Sequence, residues 1–356
     1  MIQFLACVLI LTGLLEWYTH RDALRHVNFT SKSETDRTEP AAPFHVMVTA
    51  ENTGRLPIGF VRAEVRYPQE MELPVQSKIR HVTSERLVTH IFTLKRRQRV
   101  TRTMEVHIDR RGCYRMLGAR LYRGDFIGIT EQTARYEGLQ EIVVYPVRVG
   151  GEQLQKALTG LIGDMISRRY LLQDPILAMG LREYVPGDPV RSINWKQTAR
   201  RGQLMVREFE YTREEACRVI LCLPDLERIG SDLLDTCCGL VRSICEELTR
   251  KGITAVFYTN SSPYGLYIER SFSCTVQSRS LPALLDALGR LTDMVTCRQE
   301  QLINDCMRGL EKNQEYILVV PRATDQAKRA AAVLEARSNR RVTLLAGEEW
   351  NDDRAV

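Results

Sequence analysis

The fold of the carboxyl-terminal half is decided by the stretch from Arg218 to Pro224, which reads RVILCLP. A continuous apolar run of this length is typical of a strand buried on both faces of a sheet. An amphipathic helix is predicted to follow at Asp232–Arg250. Ser231 or Asp232 is the expected N-cap of this helix, and Gly252 is expected to end it.

Strands and helices continue to alternate from there. The predicted strands are ITAVFY (253–258), GLYIE (265–269), EYILVV (315–320) and RVTLLA (341–346), and the predicted helices are Leu281–Met294 and Asp325–Ala336. Elements of these lengths in this order require a mainly parallel sheet flanked by helices. We therefore assign residues 215–356 to a Rossmann-like α/β domain.

The preceding segment has a period of two instead. Apolar and polar residues alternate in FHVMVTAENTGRLPIGFVRAEVRYP (44–68), and further strand-like runs lie at Leu87–Leu94, Arg99–Ile108, Gly118–Tyr122 and Glu141–Tyr145. Short alternating strands without an amphipathic helix predict an antiparallel β-sandwich at residues 44–148. Residues 19–43 are predicted to be a linker, because TSKSETDRTEPAAP (30–43) is rich in charge, Ser, Thr and Pro. Helical spacing between Glu152 and Met179 predicts one or two connecting helices within residues 149–214.

The amino-terminal segment predicts a membrane anchor at residues 1–18. IQFLACVLILTGLL (2–15) carries no charge, and Glu16, Trp17 and Tyr18 follow it, the aromatic pair being typical of a membrane–water interface. About 17 residues span roughly 25 Å, at the short end for a bilayer crossing. A cleaved signal peptide is the alternative, but a basic start and an A-x-A-like cleavage site are missing. Basic residues follow the segment, so the positive-inside rule predicts a single-pass protein of the cell membrane with its soluble part in the cytoplasm.

The amino-acid composition and the sequence motifs together argue against several classes of function. Lys plus Arg number 50 and Asp plus Glu 44, and both signs are spread along the chain, as on a solvated surface. Among the 10 cysteines there is no C-x-x-C pair, which favours reduced, buried thiols. Signatures of nucleotide hydrolysis, dinucleotide binding and zincin proteolysis are missing too. We therefore expect neither an enzyme nor a cofactor.

One segment, Leu181–Glu210, carries an unusual density of charge around a turn. It reads LREYVPGDPVRSINWKQTARRGQLMVREFE. Pro186–Pro189 predicts the turn, a short helix is expected around Trp195, and Gln203–Phe209 alternates like a strand. We expect Trp195 to pack in an interdomain corner.

This segment resembles the bacterial domain-of-unknown-function 58 family, whose pattern is close to R-x-Y-x-P-G-D-x-x-R-x-I-x-W-x-x-x-A-R. The matching positions are Arg182, Tyr184, Pro186, Gly187, Asp188, Arg191, Ile193, Trp195, Ala199 and Arg200. The resemblance implies amino-terminal membrane helices, a β-rich domain and a von Willebrand factor A-like domain. It also implies a MoxR-type AAA+ ATPase as a partner.

The loop after the first predicted α/β strand departs from a metal-binding pattern. Von Willebrand A-like domains that bind a divalent cation use D-x-S-x-S there, because carboxylate and hydroxyl oxygens suit magnesium. This chain has PDLERI (224–229), in which Asp225 keeps a carboxylate, Glu227 replaces the first serine and Ile229 cannot ligate. We expect no metal, and interpret Asp225 and Glu227 as loop or contact residues.

Two functions remain open on these grounds. The first is a membrane-tethered, non-catalytic adaptor that acts through protein–protein interaction. The alternative is a binder of nucleic acid or anionic lipid through the basic segment 182–207, of which nucleic acid is the less favoured because a single aromatic accompanies the cations.

Overall fold

The computed structural model describes residues 24–74, 79–82, 85–124, 131–171, 178–185, 193–209, 216–225, 227–265, 270–308 and 314–350. The chain divides into two compact units. The first holds the residues up to Val147 together with Leu285–Leu291, and the second holds Arg148–Leu284 and the residues from Thr292 onward. The anchor predicted for residues 1–18 lies outside the described residues. Among the helices in the described ranges, none is both long and apolar enough to cross a bilayer.

The amino-terminal part is built from short strands. They are β1 (Val27–Ser33), β2 (Arg37–Thr38), β3 (Phe44–Asn52), β4 (Ile58–Pro68), β5 (Met71–Glu72), β6 (Ile79–Val82), β7 (Glu85–Leu94), β8 (Arg99–Ile108), β9 (Gly112–Met116), β10 (Ala119–Gly124), β11 (Glu131–Tyr136) and β12 (Gln140–Val144). They form sheets of order β1-β3-β8-β5, β11-β10-β4-β7-β6 and β2-β12-β9. The long neighbours β3 with β8 and β4 with β7 are antiparallel.

Side chains from these sheets share one apolar core. Along β3 every second residue is buried, because successive side chains of a strand point to opposite faces. Val48 of β3, Val65 of β4 and Ile142 of β12 belong to the same buried cluster. This is the arrangement that the period-two sequence of residues 44–148 predicts.

The linker prediction for residues 19–43 is wrong from Val27 onward. Strand β1 pairs antiparallel with β3 along its whole length, from Val27 opposite Asn52 to Ser33 opposite Val46. Its inward side chains are Phe29, Ser31 and Ser33, all of them buried. Two of these three are small and polar, so the sequence resembles a linker although the alternation of a strand is present.

From residue 151 onward, helices and strands alternate. The helices are α1 (Gly151–Leu171), α2 (Trp195–Arg201), α3 (Ser231–Arg250), α4 (Leu281–Arg290), α5 (Gln299–Met307) and α6 (Asp325–Ser338). The strands are β13 (Ala178–Glu183), β14 (Met205–Phe209), β15 (Ala216–Leu221), β16 (Thr254–Thr259), β17 (Ser261–Pro263), β18 (Phe272–Val276), β19 (Leu291–Val295), β20 (Glu315–Val320) and β21 (Val342–Ala346). The chain is therefore a mixed β and α protein, as expected.

The main sheet of the second unit has the order β18-β16-β15-β20-β21. Strand β15 runs parallel to β16 and β20, and β20 runs parallel to β21, whereas the edge strand β18 is antiparallel to β16. The predicted run RVILCLP supplies central strand β15, whose residues from Cys217 to Leu221 are all buried. Helix α3 packs against this sheet with a face that includes Cys237, Val241 and Leu248, each 0% exposed.

Three details of the predicted elements need correction. The predicted helix Leu281–Met294 ends at Arg290, and strand β19 follows and pairs with β17. Side chains hold this pair, because Ser261 Oγ donates to the Thr292 carbonyl at 2.6 Å and Thr292 Oγ1 donates to the Ser262 carbonyl at 2.8 Å. Residues 178–179, predicted to end a helix, begin β13 instead.

The third correction concerns the start of α3. Its N-cap is Gly230, which makes no side-chain hydrogen bond, and not Ser231 or Asp232. At the other end Gly252 has a φ of 71°, the left-handed conformation expected of a glycine after a helix. The strand predicted at 265–269 lies, except for Gly265, outside the described residues.

Candidate functional site

The first candidate site is a small module formed by β13, α2 and β14. The two strands pair antiparallel, and the Ile193–Val206 bridge extends the pairing toward α2. The Asn194 side chain caps α2 by accepting from the Gln197 N–H, and Gly202 closes the helix in the left-handed conformation. Thr198 Oγ1 accepts from the Met205 N–H at 3.0 Å, which ties the helix to the strand beside it.

The module brings together part of the family pattern. Ile193 and Tyr184 face its interior: Ile193 is buried, and Tyr184 is half-buried with its N–H donating to the Leu204 carbonyl at 2.9 Å. Arg182, Ala199 and Arg200 are exposed. Pro186, Gly187, Asp188 and Arg191 lie outside the described residues, so their roles stay predictions.

Trp195 is 62% exposed, so its predicted packing in an interdomain corner is wrong. The reason is the size of the module: α2 has seven residues and buries none of them. Leu204, which precedes β14 in the same module, is a second large apolar residue that is 43% exposed.

Cations accompany this apolar pair. Lys196, Arg200 and Arg201 are exposed on α2, and none of them forms an ion pair with a described residue. Their charges are therefore available to an anionic partner. We call Trp195, Lys196, Ala199, Arg200, Arg201 and Leu204 together the Trp195 surface.

The second candidate site lies at the carboxyl edge of the main sheet, between β15 and β20. From β15 the chain proceeds to β16 on one side, and it later returns to β20 on the other. Such a switch in direction opens a crevice at the strand ends, where open α/β sheets bind their ligands. Helices α3 and α6 both begin at this edge, because each follows one of these strands.

Asp225 and Glu227 lie in this crevice but are engaged by the protein itself. One carboxylate oxygen of Asp225 accepts from the backbone N–H of Gln299 at 2.9 Å. Glu227 Oε1 accepts from Arg322 at 2.8 Å, in an ion pair that is more than half exposed. The partners that the structure shows for these two carboxylates are thus groups of this chain itself, and a role as binding contacts stays a prediction.

A small pocket with a cavity volume of about 30 Å³, partly open to solvent, lies beside this loop. Its lining comes from three places, namely the loop and first turn of α3, the start of α5, and the segment after β20. The lining includes the polar or charged residues Glu227, Arg228, Gln299 and Arg322 and the apolar residues Ile229, Val320 and Ala327. Burial, with smaller contributions from Asp225 and Cys297, raises the pKa of the Cys222 thiol to about 12, so this sulfur is a neutral thiol at physiological pH.

Sequence reasoning missed the polar residues that organise this edge. Asn260, which directly follows β16, is fully buried; its side chain accepts from the Leu223 N–H and donates to the Leu223 and Cys297 carbonyls. Gln299 begins α5, a helix that the sequence analysis did not predict. A polar residue at the end of a buried strand was the available signal for Asn260.

Candidate metal ligands can be identified only among the residues that the structure describes. Within those residues there is no group of three or more His, Cys, Asp or Glu side chains placed to hold a metal ion. That this protein binds no metal stays a prediction.

Comparison with known proteins shows a match to one family over part of the chain. Residues 180–235 match the family described as protein of unknown function DUF58. The matched range contains the whole pattern from Arg182 to Arg200 as well as Asp225 and Glu227. The resemblance of the segment Leu181–Glu210 to this family is therefore confirmed.

A curated relative agrees with this assignment. The chain is 26% identical over 251 residues to the uncharacterized protein YeaD of Bacillus subtilis, a match that covers 68% of this chain and 57% of YeaD. The chain thus spans a little over half the length of the curated relative that it matches.

Two similar solved structures each cover a third of the chain. A cohesin module of a Clostridium perfringens family 33 glycoside hydrolase has a TM-score of 0.24 at 13% identity, and covers 33% of this chain and 96% of that chain. The CARDB domain of a Pyrococcus furiosus protein has a TM-score of 0.22 at 10% identity, and covers 33% and 91%. Scores this low assign neither a fold nor a function.

Proposed function

We propose that the chain is a non-catalytic adaptor that binds an acidic surface of a protein partner through the Trp195 surface. The observation that carries the proposal is the exposure of Trp195 next to three cations without ion-pair partners in the described chain. Trp and Arg dominate the binding energy of protein interfaces, because they combine a large apolar area with polar contacts. An exposed pair such as Trp195 and Leu204 is stabilised when a partner removes it from water.

The partner in this proposal is a MoxR-type AAA+ ATPase, as the family resemblance implies. The second unit is proposed to be a von Willebrand factor A-like domain, a view supported by its central parallel strands, its antiparallel edge strand and the carboxylate of Asp225 after β15. Residues 2–18 are proposed to hold the chain at the cell membrane in a single pass, with the rest in the cytoplasm.

The test is a direct binding measurement with purified full-length chain in detergent. The ligand is the MoxR-type ATPase of the same organism, held with a non-hydrolysable ATP analogue. Trp195→Ala should weaken binding by about 30-fold, the loss expected at a central interface aromatic. The double variant Lys196→Glu with Arg200→Glu should also weaken binding. Its loss of affinity should be larger at low salt than at high salt, because salt screens exposed charges.

Matched controls are available on α6 and β19. Lys328→Glu with Arg329→Glu makes the same charge change on another exposed helix, and Met294→Ala removes a side chain that is 69% exposed. Both should leave the affinity unchanged. Absence of binding by the wild-type chain, or equal binding by Trp195→Ala, contradicts the proposal.

Anionic lipid is the second candidate ligand, and the same surface favours it. Trp beside Lys and Arg is typical of side chains at a membrane interface. Sedimentation with phosphatidylserine vesicles, compared with phosphatidylcholine vesicles, distinguishes this function. Retention that falls with salt and is lost in Trp195→Ala supports lipid, and nucleic acid is tested in the same way with single-stranded oligonucleotides.

A further inference from the structure

The pocket at the carboxyl edge of the main sheet contains a buried polar atom that has no partner. Gln299 is 6% exposed and lines the pocket. Its Nε2 donates to the Leu223 carbonyl at 3.2 Å. Its Oε1 has no hydrogen-bond partner within the described chain.

The orientation of the Gln299 side-chain amide follows from its hydrogen bond to the Leu223 carbonyl. A carbonyl oxygen only accepts hydrogen bonds, so the nitrogen of the Gln299 amide must face Leu223 and the oxygen must face away. A buried acceptor without a donor is destabilising, and buried polar groups are nearly always satisfied. Gln299 therefore selects for a ligand that carries an N–H or O–H group.

The start of α3 presents the opposite kind of group to the same pocket. Gly230 and Leu233, at the first turn of this 20-residue helix, both line it. The N-cap Gly230 has no side chain that could accept from the first N–H groups of the helix. Helix α6 differs, because Thr324 Oγ1 accepts from the Ala327 N–H. The α3 end therefore selects for an acceptor oxygen.

The other residues that line the pocket restrict the charge and polarity of the ligand. Ile229, Val320 and Ala327 are apolar and almost fully buried. Arg228 is exposed at the rim and forms no ion pair with a described residue. Among the lining residues, Arg228 and Arg322 carry two positive charges against the single negative charge of Glu227. Together with the positive end of α3, this net positive charge disfavours an ammonium group. A carboxylate is disfavoured because it offers Gln299 no donor.

We propose that this pocket binds a neutral primary carboxamide carried on a short apolar stem. Its NH₂ donates to Gln299 Oε1, its carbonyl accepts from the first turn of α3, and its stem lies against Ile229, Val320 and Ala327. Two sources share this chemistry: the side chain of an Asn or Gln on a protein partner, and a free small amide. The site shares no residue with the Trp195 surface, so it stands or falls independently of the adaptor proposal.

Ligand-observed NMR on the full-length chain tests the ligand class. The probe is isobutyramide, and its matched analogues are isobutyrate, which lacks the donor, and N,N-dimethylisobutyramide, which has the N–H groups blocked. Isobutyramide should bind about tenfold more tightly than either analogue, since each leaves Gln299 Oε1 without a donor. Equal or tighter binding of isobutyrate, or no binding of isobutyramide at millimolar concentration, overturns the proposal.

A substitution at Gly230 tests the place of binding. Gly230 has φ −61°, and a Cβ there meets nothing within 4 Å, so a serine fits without strain. Gly230→Ser supplies an oxygen that caps α3, so it should weaken isobutyramide binding about fivefold without lowering thermal stability. The control is Gly160→Ser on the exposed face of α1, where a Cβ also meets nothing within 4 Å, and this variant should bind as the wild type does. Wild-type affinity in a folded Gly230→Ser variant overturns the assignment of the carbonyl to α3.

A second probe distinguishes the two sources of the amide. N-acetyl-glutamine methylamide has the end of a glutamine side chain on a peptide-like backbone. If it binds more tightly than isobutyramide, the natural occupant is a partner's side chain; if it binds more weakly, the occupant is a free amide. Loss of both in Gly230→Ser supports the site in either case.

Discussion

The carboxylate of Asp225 accepts a hydrogen bond from the backbone N–H of Gln299, 2.9 Å away and 74 positions later in the chain. Gln299 is the first residue of α5, and the N-cap of that helix, Arg298, makes no side-chain hydrogen bond. Asp225 therefore does from a distant loop what a capping side chain does locally, and its negative charge suits the start of a helix.

Asp225→Ala should lower the free energy of unfolding by about 1 kcal/mol, the usual value of a lost cap. Asp225→Asn keeps an acceptor oxygen and should lose less. Urea denaturation of the purified chain measures both. Glu227→Ala, which removes an exposed ion pair, is the control and should cost about 0.5 kcal/mol or less. An Asp225→Ala variant as stable as the wild type would show that the carboxylate has no capping role.

Asn260 should be among the most sensitive positions of the second unit. It is 0% exposed, and its Oδ1 accepts from the Leu223 N–H at 2.8 Å. Asn260→Leu has nearly the same size but leaves that buried N–H without an acceptor, so we expect a loss of about 3 kcal/mol in the free energy of unfolding. The exposed Asn304→Leu is the control, with a change of about 0.5 kcal/mol at most. A small effect at Asn260 would mean that water replaces its side chain.

His90 should make the stability of the first unit depend on pH. It is 5% exposed on the core side of β7, and burial, with a smaller contribution from Arg102, lowers the pKa of its imidazole to about 4. In the unfolded chain a histidine titrates near 6.5, so on acidification the unfolded state takes up the proton first. Stability is therefore complete above about pH 6.5 and is lost as the pH falls toward 4, by on the order of 3 kcal/mol.

The measurement is urea unfolding at several pH values between 7 and 4.5. His90→Phe should remove this part of the slope, whereas His107→Gln, which changes an exposed histidine of β8, should retain it. Parallel curves for wild type and His90→Phe would contradict the assignment.

The pattern of apolar residues in the sequence predicted those strands whose inward side chains are apolar. The runs Arg99–Ile108 and EYILVV coincide with β8 and β20. It failed at β1, because Ser31 and Ser33 face the core there and their size, not their polarity, suits the position. It failed at β19 because the strand exists only through its pairing with β17, a contact between distant segments.

The position of the second candidate site in the chain could be predicted from the sequence, but the contacts of its side chains could not. Asp225 and Glu227 were located correctly on the loop after the first α/β strand, yet their partners Gln299 and Arg322 are 74 and 95 positions away, and one sequence does not show which distant residues meet. The exposure of Trp195 could not be foreseen either. An aromatic residue is ordinarily buried, and only the small size of its module shows that no core is available to it.

The residues just before β1 also limit how far the β-rich part can lie from a bilayer. Leu24 packs against the core, and the His26 carbonyl accepts from the Thr53 N–H at 2.9 Å, so the chain is fixed to this part from Leu24 onward. If residues 2–18 lie in the membrane, as proposed, the stretch from Tyr18 to Leu24 reaches about 20 Å at full extension. Under that proposal, a partner of this part of the chain has to bind it close to the bilayer surface.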